Sequence, residues 1–407
     1  MTQLFIFDDA RARRWEPFSL TRPIGEILFG CLRLGERAGR RWSLPVQGQI
    51  VETELAGFTE DAATTLVTPD APPRDRIRIL LSSRAIVDGP LKLPEPGSHA
   101  QALMIEDETV GWILPVGVEN PPLEALLHPE SWSEPEGPSG PFTLDGQVLG
   151  WPWELVDRMP TQIARDIEWL YPRDNALLPT GVGRLGTDVI SMDESVTIEP
   201  GVLLDSSNGP IRLDAGVRLQ AGTRLAGPSF VGPGTALLGG TFEAISVGPV
   251  CKLRGELEAS VVLGYTNKAH DGFIGHAILG RWVNLGALTT NSDLKNTYGS
   301  VRVHLSDGSI DTGLPKVGAF LGDHVKTGIG TLLPTGALIG AGTSVFLGGV
   351  TPVRLPAFSW VTPDGIDRFR VDRFLEIAAK VMNRRNVELS PEHGAMLSRA
   401  WDRSVKE

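Results

Sequence analysis

Aliphatic side chains recur at every sixth residue through the second half of the chain. One series runs Leu213, Leu219, Leu225, Val231, Leu237, and another Leu321, Thr327, Leu333, Ile339, Val345. A shorter register gives Phe273, Leu279 and Leu285. Gly or Pro often comes next, as at Gly280, Gly286, Gly322, Gly328, Pro334 and Gly340. A period of six fits neither the 3.6 residues of a helical turn nor the alternation of a single strand. It fits a short strand, a tight corner and another strand. One aliphatic per edge then points into a three-sided coil and stacks on its equivalent in the next coil. Gly and Pro suit the corners, where a positive φ or a fixed bend is required. The pattern predicts a parallel β-helix over about 180–360; the alternative is a β-sandwich with chance spacing. The ladder is interrupted at 291–315, a polar stretch expected to loop out on one side.

The first part of the chain has a different texture. Residues 4–7 read as a strand, 24–41 as a helix with Ile27, Leu28, Cys31, Leu34 and Gly35 near one face, and 77–87 as holding a second buried strand at Ile79-Leu80-Leu81. Residues 129–141 are rich in Pro, Ser, Gly and Glu and read as an exposed loop. Residues 164–171 read as a helix leading out of the domain. Strand, helix and strand in this order suggest an α/β domain with a partly parallel sheet. After the repeats, 369–385 carries Phe374, Ile377, Ala378 and Val381 at helical spacing, and Ser390-Pro391 reads as an N-cap followed by Pro at the first helical position. The expected domains are therefore 1–179 (α/β), 180–360 (β-helix) and 361–407, a helical cap over the open end of the coil.

A chain of 407 residues accommodates these parts, and its 47 Gly and 31 Pro suit a turn-rich β protein. The formal net charge of −11 repels phosphate backbones, and no basic tract offsets it, so nucleic acid is not an expected partner. The two cysteines, Cys31 and Cys251, form no metal-ligand spacing or disulfide framework. No stretch approaches the ~18 apolar residues of a membrane span, and the N-terminal apolar run is too short for a signal segment. A cytoplasmic protein is expected.

Polar chemistry gathers in the segment from Gly264 to His276, which holds Asn267, Lys268, His270 and Phe273, and continues through Asn284. His270 and His276 lie six residues apart, which moves one edge round the prism rather than one coil up. They should sit on different faces, with no third ligand for zinc. A neutral imidazole is a natural general base near pH 7. Acyl transfer from a thioester to a sugar amine or hydroxyl needs that proton removal and donors for the oxyanion. Asn267, Asn284 and Asn291 offer amides to sugar hydroxyls, and Lys268 and Lys295 offer cations to a phosphate.

The string from Ala269 to Gly275, followed by Val283-Asn284-Leu285-Gly286-Ala287, resembles the acetyltransferase domain of the bifunctional N-acetylglucosamine-1-phosphate uridyltransferase/glucosamine-1-phosphate acetyltransferases. More closely it resembles a related bacterial family of sugar nucleotidyltransferases. The resemblance extends to Phe5-Ile6-Phe7-Asp8-Asp9, Pro17-Phe18, Leu20-Thr21-Arg22-Pro23 and Trp151-Pro152-Trp153, and so covers nearly the whole chain. It implies a nucleotidyltransferase-like domain followed by a left-handed β-helix. His270 then stands as general base, and Asn284, Asn291 and Lys295 lie near the sugar and acetyl-CoA sites. Phe273 stands where the relatives carry a tyrosine and lacks its hydroxyl. The resemblance also implies sugar phosphate or nucleotide-sugar substrates, acetyl-CoA as acyl donor, magnesium for a nucleotidyl step, and a homotrimer with sites between neighbouring prisms.

Nucleotidyltransferases of this kind cradle the triphosphate on a Gly-rich loop and hold magnesium on an Asp after a central strand. Here no Gly lies between Asp8 and Glu16, and Ser82-Ser83-Arg84 follows the second strand. Asp8, Asp9 and Asp88 are the acidic substitutes, and Arg11, Arg13, Arg14 and Arg22 the candidates for phosphate. Three functions follow: a sugar-phosphate transferase, a non-catalytic relative that binds a sugar nucleotide for regulation, and a structural scaffold. Product formation, binding without product, and no binding tell them apart.

Overall fold

The computed structural model describes residues 2–404 except 52, 61–62, 90–98, 133–139 and 172–175. Among them, the first part folds around a seven-stranded sheet in the order Phe142–Thr143, Gln101–Ile105, Glu108–Leu114, Arg78–Ser82, Gln3–Phe7, Val46–Ile50, Leu66–Val67. Gln3–Phe7 is parallel to both Val46–Ile50 and Arg78–Ser82, whereas Glu108–Leu114 runs antiparallel to its neighbours. Central strands buried on both faces explain the unbroken apolar runs that marked them in the sequence.

Three expectations for this domain need correction. The helix expected over 24–41 is confined to Leu34–Trp42; before it come a 3₁₀ turn, Ile24–Glu26, and a two-stranded ribbon, Leu28–Phe29 with Leu32–Arg33. The ribbon turns at Gly30, whose φ of +66° favours glycine. The apolar spacing that mimicked a helix is a turn packed between two domains. The helix at 164–171 starts much earlier, at Pro152, and runs to Leu170 with Pro at its first position, where no intrahelical N–H is needed. Of the loop expected at 129–141, Pro129–Ser131 forms a 3₁₀ turn with Pro129 buried, and 133–139 lie outside the described residues.

From Gly183–Gly186 to Ser359–Thr362 the chain winds into a parallel β-solenoid with three faces. Leu213 pairs with Val231, eighteen residues on, and Leu219 with Leu237. The six-residue step therefore visits the three faces in turn, and all five side chains of the first series are buried inside. One register needs correction: Phe273 points outward, and Ile274 is the buried residue of that coil, in register with Leu257. Three corner columns separate the faces. The first passes Gly272 and Leu288, the second Ala244, Ala259 and His276, and the third Val250, Tyr265, Trp282, His324 and Phe358. These members of the second and third columns, and Leu288, are non-glycine residues at positive φ. Tyr265 stacks on Trp282 at 4.1 Å, and His324 lies 6.3 Å beyond.

The face between the second and third corners is apolar outside as well as inside. Its outward column runs Phe230, Ser246, Val261, Ile278, Phe320 and Leu338, and all but Ser246 pack in one cluster with Ile24, Ile27, Phe29, Trp153, Met159 and Ile163 of the first domain. The two domains thus share one continuous core. A buried ion network seals their edge: Arg22, 1% exposed, donates to Asp323 at 2.9 Å and Glu60 at 2.9 Å, and Arg281 donates to Glu60 at 2.6 Å.

The insertion leaves the solenoid after Asn291, which itself occupies an inward ladder position in register with Leu333. It is less polar than expected. It folds into an antiparallel hairpin, Arg302–Leu305 with Gly308–Asp311, whose Val301, Val303 and Leu305 join the interdomain core. The C-terminal helices, Val371–Asn383 and Pro391–Arg403, run along the flank of the solenoid. Met382 meets Tyr265 and Trp282, Phe374 meets Phe358, and Met396 and Leu397 join Leu55 and Phe58 of the first domain. Ser390 caps the second helix, accepting from the His393 N–H.

Candidate active site

The candidate residues separate into distinct places. Asn267 and Asn284 occupy consecutive outward positions of the face between the third and first corners, with Asn267 Nδ2 donating to Asn284 Oδ1 at 3.1 Å. Lys326 is next in that column. Its Nζ donates to the His324 carbonyl at 3.1 Å, and burial brings its ammonium down to about 8. His270 follows this face at the first corner and is exposed. Beside it, Asp271 takes an ion pair from Arg254 at 3.1 Å.

Lys268 does not reach this surface. It takes an inward position in register with Leu253, nearly wholly buried, and its Nζ donates to the carbonyls of Arg254 (2.8 Å) and His270 (2.9 Å). Burial lowers its ammonium to about 8. Lys268 therefore braces the backbone beneath His270.

His276 stands at the second corner, across the strand Phe273–Gly275 from His270, as the six-residue step requires. Its Nδ1 lies 2.8 Å from Asp293 Oδ2 at the root of the insertion. The hydrogen bond from His276 holds the Asp293 carboxyl below its usual range, against the effect of burial. Lys316 pairs with Glu258 nearby at 3.1 Å. Asn291 is buried here, and its amide is occupied by the backbone: it accepts from Gly275 N and donates to Gly275 O, both at 2.9 Å. Lys295 Nζ donates to Ser300 O at 2.6 Å within the insertion. The structure thus joins Asn267, Asn284 and His270 on one side of the prism, and His276 and Asn291 on the other. Phe273 lies between them, in the outward column that continues through Thr290, Leu332 and Val350.

The arginines also part company. Arg22 is enclosed in the interdomain network. Arg11 lies over the Trp151 ring at 4.5 Å. Arg13 Nε donates to Asp8 O at 3.1 Å, and Arg14 pairs with Asp307 at 2.6 Å. The carboxylates expected to hold magnesium are spent internally. Asp8 accepts from Ser83 Oγ (2.6 Å), Ile24 N (2.9 Å) and Gln49 Nε2 (3.2 Å), and burial pushes its carboxyl up to about 6. Asp9 caps the helix Ala10–Arg13 and pairs with Arg84 at 2.8 Å. Asp88 is exposed and 3.6 Å from Arg165. A carboxyl that burial keeps partly protonated and a second one neutralised by arginine do not fit a hard dication. Among the described residues, no three His, Cys, Asp or Glu side chains gather as a metal would need.

Sequence reasoning missed the Asp293 partner of His276, one coil further on, and the inward turn of Lys268. It also missed Glu60, Arg281 and Asp323. The inward turn of Lys268 had a signal in the period itself, since Val262, Lys268 and Ile274 are consecutive sixth residues.

The architecture is that of a nucleotidyltransferase-like domain carrying a hexapeptide-type β-solenoid with C-terminal helices. Residues 4–174 match the family model described as sugar nucleotidyl transferase. Among curated proteins, a bifunctional sugar-1-phosphate nucleotidylyltransferase/acetyltransferase of Sulfurisphaera tokodaii is 33% identical over 95 residues, 23% of this chain and 24% of that protein. The bifunctional protein GlmU of Acaryochloris marina is 27% identical over 177 residues, 40% and 34% of the two chains. That of a Synechococcus species is 24% identical over 219 residues, 48% and 32%. The matches span about a quarter to a third of these relatives' length.

Proposed function

We propose that this chain is a sugar-phosphate transferase whose working chemistry is acyl transfer on the solenoid. The observation that carries this reading is an exposed imidazole, His270, set between a hydrogen-bonded Asn267–Asn284 pair and the outward column that holds Phe273, Leu332 and Val350. His270 takes the proton from a sugar amine or hydroxyl as that group attacks the thioester carbonyl of acetyl-CoA. The tetrahedral intermediate then expels the thiolate, which receives the proton. Asn267 and Asn284 orient sugar hydroxyls, and corner backbone N–H groups face the oxyanion. Lys268 keeps the His270 backbone in place from inside the coil.

The substrate is a sugar phosphate or nucleotide sugar, in line with the name of the Sulfurisphaera tokodaii relative. The first domain, whose strand-end carboxylates Asp8 and Asp9 are spent internally, serves to bind and dock rather than to transfer a nucleotidyl group. A homotrimer goes with this reading. Leu288, Ile329, Leu332 and Val350 leave an exposed apolar strip next to His270, suited to a second copy that would complete the site. A left-handed coil, as in the resembling proteins, also belongs to this proposal. So does a cytoplasmic setting: Cys31 and Cys251 are free thiols, and no helix of the described residues is long and apolar enough to cross a membrane.

A second reading has its own observation. The His276–Asp293 pair has the geometry of an oriented base, which would place the proton transfer at the second corner. Acetyl transfer to glucosamine 1-phosphate by the His270→Ala and His276→Ala chains separates the two. Loss confined to His270→Ala supports the first reading. Loss confined to His276→Ala supports the second, and full activity in both rejects acyl transfer at this strand.

A further inference from the structure

The outward column that holds Asn267 and Asn284 extends well past this amide pair. In register it runs Lys252, Asn267, Asn284, Lys326, Ser344 and Trp360, one residue per coil at about 4.8 Å. Its chemistry changes along the way. Asn267 donates to Asn284, whose own Nδ2 has no hydrogen-bond partner among the described residues. Lys326 follows, only partly covered, with one acceptor, the His324 carbonyl, for its three N–H groups. Among the described residues no carboxylate pairs with it, on a chain whose net charge is −11. Burial brings its ammonium down to about 8, a cost that a bound anion would offset. The buried Ser344 separates Lys326 from Trp360, whose partly exposed indole lies 4.5 Å from the half-exposed Phe346 ring. Asp367, opposite Trp360, is the first carboxylate that the column meets. The helix Val371–Asn383 flanks these coils, with Met382 against Trp282 and Phe374 against Phe358.

We infer that this column holds a nucleoside diphosphate sugar, with the sugar on the amide pair, the phosphates at Lys326 and the base against Trp360 and Phe346. The inference rests on the acyl-transfer reading for the place of the sugar and deepens it, choosing the nucleotide sugar over the sugar phosphate. Amide, ammonium and aromatic ring follow one another in the order of sugar, phosphate and base. Carboxamides suit hydroxyls, an ammonium suits phosphate oxygens, and an aromatic face accepts any base. The two coils from Lys326 to Trp360 leave about 10 Å for the ribose. A sugar 1-phosphate would use the first two parts and leave the rings idle. Lys252 lies at the opposite end of the amide pair, and Ala236 and Arg218 come before it, so no ring waits in that direction.

The test is titration calorimetry of the full chain, without acetyl-CoA, using UDP-glucosamine and glucosamine 1-phosphate. UDP-glucosamine should bind about tenfold or more tighter than glucosamine 1-phosphate. Lys326→Gln and Phe346→Ala should each weaken UDP-glucosamine about tenfold, with unfolding temperatures close to that of the unaltered chain. Phe346→Ala should leave the weaker binding of glucosamine 1-phosphate as it was. Lys252→Gln should change the affinity for UDP-glucosamine by less than about twofold. Equal affinity for the two ligands overturns the inference, as does a larger loss in Lys252→Gln than in Lys326→Gln. Unchanged affinity for UDP-glucosamine in either Lys326→Gln or Phe346→Ala overturns it too, because the nucleotide would then be held elsewhere, as on the first domain. Binding is read without the acyl donor, so these outcomes stand apart from whether His270 transfers an acyl group.

Discussion

Asp293 and His276 meet at 2.8 Å across the point where the insertion leaves the solenoid, one coil apart in the chain. The contact fixes the imidazole and anchors the insertion root. Because the Asp293 carboxyl is held below its usual range, its stabilising effect is complete above the unfolded value and fades as pH falls through the lower folded one. Asp293→Asn should therefore lower the unfolding temperature at pH 7 and speed proteolysis within the insertion, with the difference from the unaltered chain closing below about pH 4. Under the first functional reading it leaves most acyl transfer intact, while His270→Ala lowers kcat by roughly 10²–10⁴-fold. A kcat loss in Asp293→Asn as large as that in His270→Ala would move the base to His276.

The coil was readable in the sequence because its cause is strictly periodic: one buried aliphatic per edge, with corners that need glycine or a positive φ. Leu213 to Leu237 fall on the three faces in the order the period demands. The readings that failed lie where another element covers the surface. Residues 24–33 look helical by spacing, but their apolar side chains face both the first domain and Phe320 and Ile278 of the solenoid. Such a double-sided turn has no period of its own. The candidate site was legible in residue type but not in direction. Asn291 and Lys268 lie on inward ladder positions, and only the phase of the neighbouring hexads distinguishes them from Asn284 and His270.

Lys268 makes that phase measurable. Its ammonium lies in the ladder that includes Leu253 and Leu285, and its folded value, lowered to about 8, is below the ordinary 10.5. Between these values the unfolded chain binds the extra proton, so this group makes the protein more stable as pH rises from about 8 to 10.5. Urea midpoints of the unaltered chain and Lys268→Met, compared at pH 7 and pH 10, should show the unaltered chain gaining relative to the variant at the higher pH. A constant difference would mean the side chain is hydrated rather than buried.

The Arg22 network makes a prediction of opposite character. Burial disfavours the Glu60 carboxylate, yet Arg22 and Arg281 outweigh it and hold its carboxyl below the usual range. Arg22→Met removes a cation from two buried carboxylates and should cost about 3–5 kcal/mol in denaturant unfolding. It should also loosen the two domains from one another, seen as faster amide exchange in the strands that carry Phe320 and Leu338. A cost below about 1 kcal/mol would show that the network is solvated and does not hold the interface.

The exposed strip bears on assembly. Leu332 and Val350 are consecutive members of one outward column, 42% and 66% exposed, with Leu288 and Ile329 at the adjoining corner. On another face the first domain covers the outward apolar side chains Phe320 and Ile278, whereas this column faces water and a second copy would cover it. A charge placed there is harmless to a monomer, because it faces water, but costly in a packed interface. Leu332→Glu and Val350→Glu should leave the unfolding transition of the subunit in place while shifting sedimentation from a trimer towards a monomer. Acyl transfer should fall with it, because the site beside His270 would lose its neighbour. An unaltered chain that sediments as a monomer across the micromolar range would remove both the interface and the need for a second copy at the site.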